Sequence, residues 1–247
     1  MMYAGRSDIG RARSVNEDSY FIMANEQGCL MGVICDGIGG SKAGEVASSL
    51  AIEVLKECFL QVPVFEKDYE VKAFIQTSLN KANDSIYNQA LQNPERKGMG
   101  TTAVGVFICP LGTYIFNVGD SRIYAVYTDG MVQMSVDHSL VERMIQSGEI
   151  TAEEASRHAE RNRLTNALGI WKVFRIDIDK IDARYEQLLL CSDGLSGYVS
   201  NERIESVLRR PTLEAGEKVD ALISLANDAG GHDNITVIVV DEGRRKS

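Results

Sequence analysis

At 247 residues and 44% hydrophobic content, the chain is near the upper size for one core and has enough apolar residues to fill it. Its 35 acidic residues outweigh 26 basic ones, and the net charge of −9 argues against general affinity for nucleic acid or anionic lipid. No apolar run is long enough to span a bilayer, the N-terminus lacks a signal-peptide core, and the five cysteines form no Cys-x-x-Cys pair, so a cytoplasmic protein without disulfides, zinc cluster or membrane contact is expected.

In chain order, strand-like runs fall at 19–24 and 29–35. Helical patterns follow at 43–60, where Val46, Leu50, Val54 and Leu55 mark one face, and at 69–91. Short β-branched or aromatic runs at 103–108, 114–118, 123–127 and 131–135 read as linked strands, with Asp129-Gly130 as a hairpin turn. A helix at 140–147, a strand at 188–191, helices at 202–209 and 212–227, and a strand at 235–240 complete the chain. Strands do not alternate with crossover helices, so an α+β fold with antiparallel sheets is expected. No repeat or linker interrupts the chain, which predicts one domain over 1–242 and a short basic tail at 243–247.

Several aspartates share one context. Val33-Ile-Cys-Asp36-Gly, Val118-Gly-Asp120-Ser and Cys191-Ser-Asp193-Gly end apolar runs, Asp233 precedes one, and the pair Glu17-Asp18 opens the first. Each alone reads as a turn, because Asp and Gly are ordinary turn residues. As a set they suit carboxylates gathered at one edge of a sheet stack. Such groups repel one another and need a cation, and oxygen donors without His or Cys select Mg²⁺, Mn²⁺ or Ca²⁺ over Zn²⁺. Two such ions are a known solution for phosphoryl hydrolysis. Other chemistries fit less well. Gly37-Ile-Gly39-Gly-Ser-Lys42 is neither a P-loop nor a dinucleotide fingerprint, and no Gly-x-Ser-x-Gly elbow occurs. His138, His158 and His232 lack zinc-ligand spacing and read as surface or supporting residues.

These residues, in this order, resemble the metal-dependent protein phosphatases of type 2C, the PPM family, and in particular compact bacterial Ser/Thr phosphatases. The motifs are Ser7-Asp-Ile-Gly-Arg-Ala-Arg13-Ser-Val-Asn-Glu17-Asp18, Cys35-Asp36-Gly37-Ile-Gly-Gly40, Gly98-Met-Gly-Thr-Thr-Ala103, Val118-Gly-Asp120-Ser-Arg122, Asp137-His-Ser139, Cys191-Ser-Asp193-Gly194 and Gly231-His-Asp233-Asn234. The resemblance implies a central antiparallel β-sandwich flanked by pairs of helices, a four-layer αββα fold with the metal site at one end. It implies hydrolysis of phosphoserine and phosphothreonine on proteins through water activated by two Mn²⁺ or Mg²⁺ ions. Partners would be phosphorylated proteins, either substrates of a bacterial Ser/Thr kinase or the kinase itself, and a monomer is expected. By the same resemblance Asp36 bridges the two ions, the Gly37 backbone carbonyl binds one, and Asp193 and Asp233 bind the other. Glu17 and Asp18 support bound water. Asp120 joins Asp193 at a weaker third ion, with Asp137 ranked below it. Arg13 clamps the phosphate, Arg122 holds its loop by a salt bridge, and residues 140–158 resemble the family's flap.

The chain also departs from the pattern. Ile38 stands where many eukaryotic relatives place a His that can donate a proton, and Ser41 offers no obvious substitute. Gly197 stands where some relatives have an Asp that supports the third ion. Two competing readings remain at this level: a partner-switching phosphatase acting on a small regulator, and a non-catalytic docking module.

Overall fold

The structure, a computed structural model, describes residues 1–39 and 43–242. The readings made at Gly40 and Ser41, and the basic tail at 243–247, lie outside these residues.

The described chain opens with strands β1 (Met2–Asp8), β2 (Asp18–Ala24) and β3 (Leu30–Ile38), then helices α1 (Ala43–Leu60) and α2 (Asp68–Gln92). Strands β4 (Gly100–Thr101), β5 (Ala103–Cys109), β6 (Gly112–Val118), β7 (Arg122–Tyr127) and β8 (Gly130–Gln133) follow. Helices α3 (Leu140–Gln146) and α4 (Ala152–Ser156) precede β9 (Asp177–Ile181) and β10 (Gln187–Cys191). Helices α5 (Asp193–Ser196), α6 (Asn201–Leu208) and α7 (Ala215–Asp228) lead to β11 (Ile235–Asp241).

One sheet has the order β1-β11-β10-β7-β8 and the other β2-β3-β5-β6-β9, with β4 paired to β3. Every described pairing is antiparallel. Ile34, Val106, Ile123, Leu190 and Ile238 fill the space between the sheets. Leu55, Phe59, Ile75 and Leu79 of α1 and α2 cover one outer face, against Val33 and Phe107. Ile204 and Leu222 of α6 and α7 cover the other, against Leu189 and Val237. The layers are therefore αββα. Central strands buried on both faces need apolar residues at every position. This is why β10 reads Gln-Leu-Leu-Leu-Cys: Leu188 and Leu190 face the inner core, while Leu189 and Cys191 face the helices.

Three local expectations shift. Val46, Leu50 and Val54 are only partly buried; the inner stripe of α1 is Ala43, Ala47, Ala51, Leu55 and Phe59. Small residues at four-residue spacing let the helix backbone lie close to the sheet, with the larger side chains packing at its flanks. The β7–β8 hairpin pairs Tyr127 with Gly130, so its turn residues are Thr128 and Asp129. Strands β1 and β9 have no counterpart in the periodicity. Both are edge strands, and an edge needs fewer apolar residues and tolerates charge, as in Asp-Ile-Asp-Lys-Ile of β9. The five cysteines are free, and no described helix is long and apolar enough to cross a membrane.

The registers place the start of β2 beside the end of β3, and the end of β10 beside the starts of β7 and β11. One end of the sandwich thus collects strand termini from across the whole sequence.

Candidate active site

At that end, Asp18 pairs with Asp36 across β2 and β3. The backbone of Asp36 is clamped from the next segment. Its N–H donates to Thr102 Oγ1 at 2.9 Å, and its carbonyl accepts from Thr102 N–H and Thr101 Oγ1, each at 2.9 Å. Thr102 Oγ1 in turn shares a 2.9 Å bond with Ser121 Oγ, next to Asp120. Gly37 follows Asp36, with its N–H on the Glu17 carbonyl at 3.1 Å. A Cβ at this position would collide with the Gly44 and Glu17 backbones. Gly194 is constrained in the same way by the Asn234 backbone. The glycines after these aspartates therefore let α1 and α5 approach the strand ends closely.

Arg13, Glu17, Asp36, Gly37, Asp120, Asp193 and Asp233 line one cavity of about 440 Å³. Asp18 is buried behind it. Its Oδ2 accepts from Ser192 Oγ at 2.8 Å and Thr236 Oγ1 at 2.6 Å. Among the described residues, Asp18 Oδ1 and Glu17 Oε1 are buried without a hydrogen-bond partner.

The carboxylates set one another's charge. Burial, then Asp18, Asp193, Asp120 and Asp233, hold the Asp36 carboxyl well above its ordinary range. Burial, Asp193 and Asp137 do the same to Asp120. Asp193 is pushed up to about 6 by burial and Asp233, with a hydrogen bond from Asp36 opposing the rise. Burial pushes Asp18 up to about 7 against its bonds to Thr236 and Ser192. Burial raises Glu17 against the pull of Arg13. A cluster in which each carboxylate opposes the ionisation of the next is relieved by a cation. The oxygen donors and the two orphaned carboxylate oxygens fit a hard divalent ion. Among the described residues, no three Asp, Glu, His or Cys side chains form a ready-made metal cage. Asp233 is already engaged: Oδ2 accepts from Arg13 Nη2 at 2.8 Å, and Oδ1 accepts from the Asn234 N–H at 2.9 Å.

Arg13 is 46% exposed at the cavity rim and, among the described residues, uses this one contact out of five guanidinium N–H donors. Its loop is pinned by Asn234. The Asn234 side chain accepts from Glu17 N–H at 2.9 Å and donates to the Ile9 and Val15 carbonyls at 2.9 and 3.0 Å. Asn234, Thr101 and Thr102 are supporting residues to which the sequence reading gave no role, although each lies inside a quoted motif.

Asp137 is committed elsewhere: Arg122 Nε and Nη2 hold it at 3.0 and 2.7 Å, the loop-fixing salt bridge expected there. His138 is buried. Its Nδ1 accepts from Gly119 N–H at 3.2 Å and Asn166 Nδ2 at 2.8 Å, so Nε2 carries the proton toward Asp177 at 3.0 Å. It thereby braces the turn before Asp120. His158 is half-buried and His232 exposed. Ile38 pairs with Gly100 and lines the cavity.

A family model described as Protein phosphatase 2C matches residues 4–228. The chain belongs to the protein phosphatase 2C family. The phosphatase is 36% identical to the serine/threonine phosphatase stp of Listeria innocua over 238 residues, which is 96% of this chain and 94% of the relative. Its fold superposes on the serine/threonine phosphatase Stp1 of Staphylococcus aureus with a TM-score of 0.91 at 35% identity, covering 98% of this chain and 94% of that one. The catalytic domain of the phosphatase PstP, solved in complex with two manganese ions, matches with a TM-score of 0.83 at 34% identity over 97% of both chains. The family match ends short of Asp233, and the full-length relatives extend the likeness past it.

Proposed function

We propose that this metal-dependent serine/threonine protein phosphatase works with two divalent ions, Mn²⁺ or Mg²⁺, held by Asp36, the Gly37 carbonyl, Asp193 and Asp233. The observation that carries the reading is one cavity where these donors meet Asp120, Glu17 and Arg13. When bound, the ions supply an acidified water as the nucleophile and offset the charge of the phosphate.

The chain's own residues do the rest. Thr101 and Thr102 hold Asp36 by its backbone, so its carboxylate enters the cavity at a fixed angle. Glu17 Oε1 and Asp18 Oδ1, without a hydrogen-bond partner among the described residues, would accept from water. The Arg13 fork binds phosphate oxygens as negative charge builds on them. Asp120 with Asp193 would take a third, weaker ion. Asp137, tied up by Arg122, is a poorer candidate for it. Ile38 has no proton to give, so the leaving oxygen draws its proton from water in the open cavity.

Each phosphoserine or phosphothreonine is made by a kinase, so the phosphatase opposes a Ser/Thr kinase and acts on that kinase's substrates or on the kinase itself. All candidate ligands come from one chain, which supports a monomer as a complete catalytic unit; the proposed domain spans 1–242 and acts in the cytoplasm. The deciding measurement is phosphate release from a phosphothreonine peptide. Release with Mn²⁺ that stops in EDTA is expected. Equal release in both would overturn the two-ion mechanism.

A further inference from the structure

The cavity is lined by two unlike kinds of residue. Besides the carboxylates and Arg13, its lining includes the apolar residues Ile38, Leu164, Ala167, Ile170 and Trp171. Trp171 is the chain's one tryptophan, and it is 44% exposed. A lone exposed apolar side chain is ordinary on a protein surface. This one lines, with four other apolar residues, the same cavity as Arg13.

This apolar lining is also held firmly. Ile38 pairs with Gly100 across β3 and β4, on the same strand as Asp36. Ile170 packs over Gly100, where an added Cβ would come within 2.7 Å of its side chain. Thr101 and Leu168 exchange backbone hydrogen bonds of 3.0 and 2.9 Å. From α2, the buried Asn83 side chain donates to the Trp171 carbonyl at 3.1 Å and accepts from Gly169 N–H at 2.8 Å. The backbone on both sides of Ile170 is thus tied to the core, and the apolar surface it presents is preformed.

A phosphorylated residue whose phosphate meets Arg13 brings its neighbours with it. Consecutive Cα atoms are only about 3.8 Å apart, so an adjacent side chain lies within reach of the same cavity. We propose that Ile38, Ile170 and Trp171 form an apolar subsite that takes a Leu-, Met- or Phe-like side chain next to the phosphorylated residue of the substrate protein. This inference rests on the phosphatase reading above. It gives Ile38 a role in choosing the substrate in place of a role in proton transfer.

The test uses phosphothreonine peptides in which the residues flanking phosphothreonine are changed one at a time between Leu and Ser. At one flanking position, Leu should raise kcat/KM by roughly tenfold, chiefly through KM, as expected for an apolar group entering an apolar pocket. Trp171→Ala and Ile170→Ala should bring the Leu-to-Ser ratio close to one. Trp171→Phe keeps an aromatic wall and should keep the preference, which separates loss of the wall from a loosened loop. A non-hydrolysable phosphonate peptide carrying Leu should shift Trp171 emission to the blue, and its Ser counterpart should not. Equal kcat/KM for Leu and Ser at every flanking position overturns the subsite and leaves the phosphatase reading standing. So does a preference that survives both truncations. Failure to release phosphate from any peptide overturns the phosphatase reading and the subsite with it.

Discussion

Asp18 stands directly opposite Asp36 across the β2–β3 pair, and both carboxyls titrate above their ordinary range. Like charges facing each other across strands destabilise a sheet. The fold carries this cost at the point where a divalent ion would relieve it, so on the proposed site Asp18 would trade stability for ion binding. Asp18→Asn keeps an oxygen for Ser192 and Thr236 and removes the charge. In EDTA near neutral pH it should raise Tm by roughly 2–4 °C, equivalent to about 1 kcal/mol. The same variant should bind Mn²⁺ more weakly by calorimetry. A lowered Tm with unchanged Mn²⁺ affinity would mean that Asp18 is only structural.

The same carboxyls set a pH dependence. Asp193 is pushed up to about 6 and Asp18 to about 7, against an ordinary value near 4. Between those values the folded chain holds protons that the unfolded chain has lost. The stability from these groups is therefore full below about pH 4 and is lost as pH rises through 6 and 7. Melts in EDTA should show Tm several degrees lower near pH 7.5 than near pH 5.5. Saturating Mn²⁺ should cancel the fall, because binding favours the deprotonated ligands. A metal-free Tm that rises over this window sinks the assignment.

Asp36→Ala and Asp193→Ala should each cost at least about 100-fold in kcat with Mn²⁺, more than is usual for groups that merely support a ligand. Near-normal turnover in either variant would show that its carboxylate holds no ion.

Thr102→Val tests the clamp behind Asp36. It leaves the buried Asp36 N–H without its acceptor, at a cost of about 1–3 kcal/mol. It should lower kcat by roughly tenfold through the misplaced carboxylate, and Thr102→Ser should restore both. If Thr102→Val lowers Tm alone, the hydroxyl serves the sandwich and not the site.

Arg13 is bonded to Asp233, one of the proposed ligands, so its two roles can be separated. Arg13→Ala should lower kcat/KM by about 100-fold or more. Mn²⁺ affinity should hold or tighten, since a neighbouring cation is removed. Weaker Mn²⁺ binding would recast Arg13 as a residue that positions Asp233.

Much of this was legible in the sequence, for identifiable reasons. Strands β3, β10 and β11 are buried on both faces, so they read as continuous apolar runs, each flanked by a carboxylate. Edge strands β1 and β9 carry too few apolar residues to be seen by periodicity. The inner face of α1 was hidden because alanines made the contact that larger side chains were expected to make. Within the site, motif residues with charged side chains stood out. Thr101, Thr102 and Asn234 act on backbone groups of distant segments, which spacing along the chain does not reveal. The partner of Arg13 was hidden for the same reason, since Asp233 lies 220 positions away.

Strand β11 is the last strand of the described chain, yet it is inserted between β1 and β10. Until it docks, Asp233 is missing from the cavity, Asp18 lacks its bond to Thr236, and the Arg13 loop lacks its tether to Asn234. A chain still being synthesised therefore carries most of the carboxylates but no assembled site. Pairing ends of the chain so far apart is also slow. The candidate site is therefore assembled only when β11 pairs with β1 and β10, a pairing that joins distant parts of the chain.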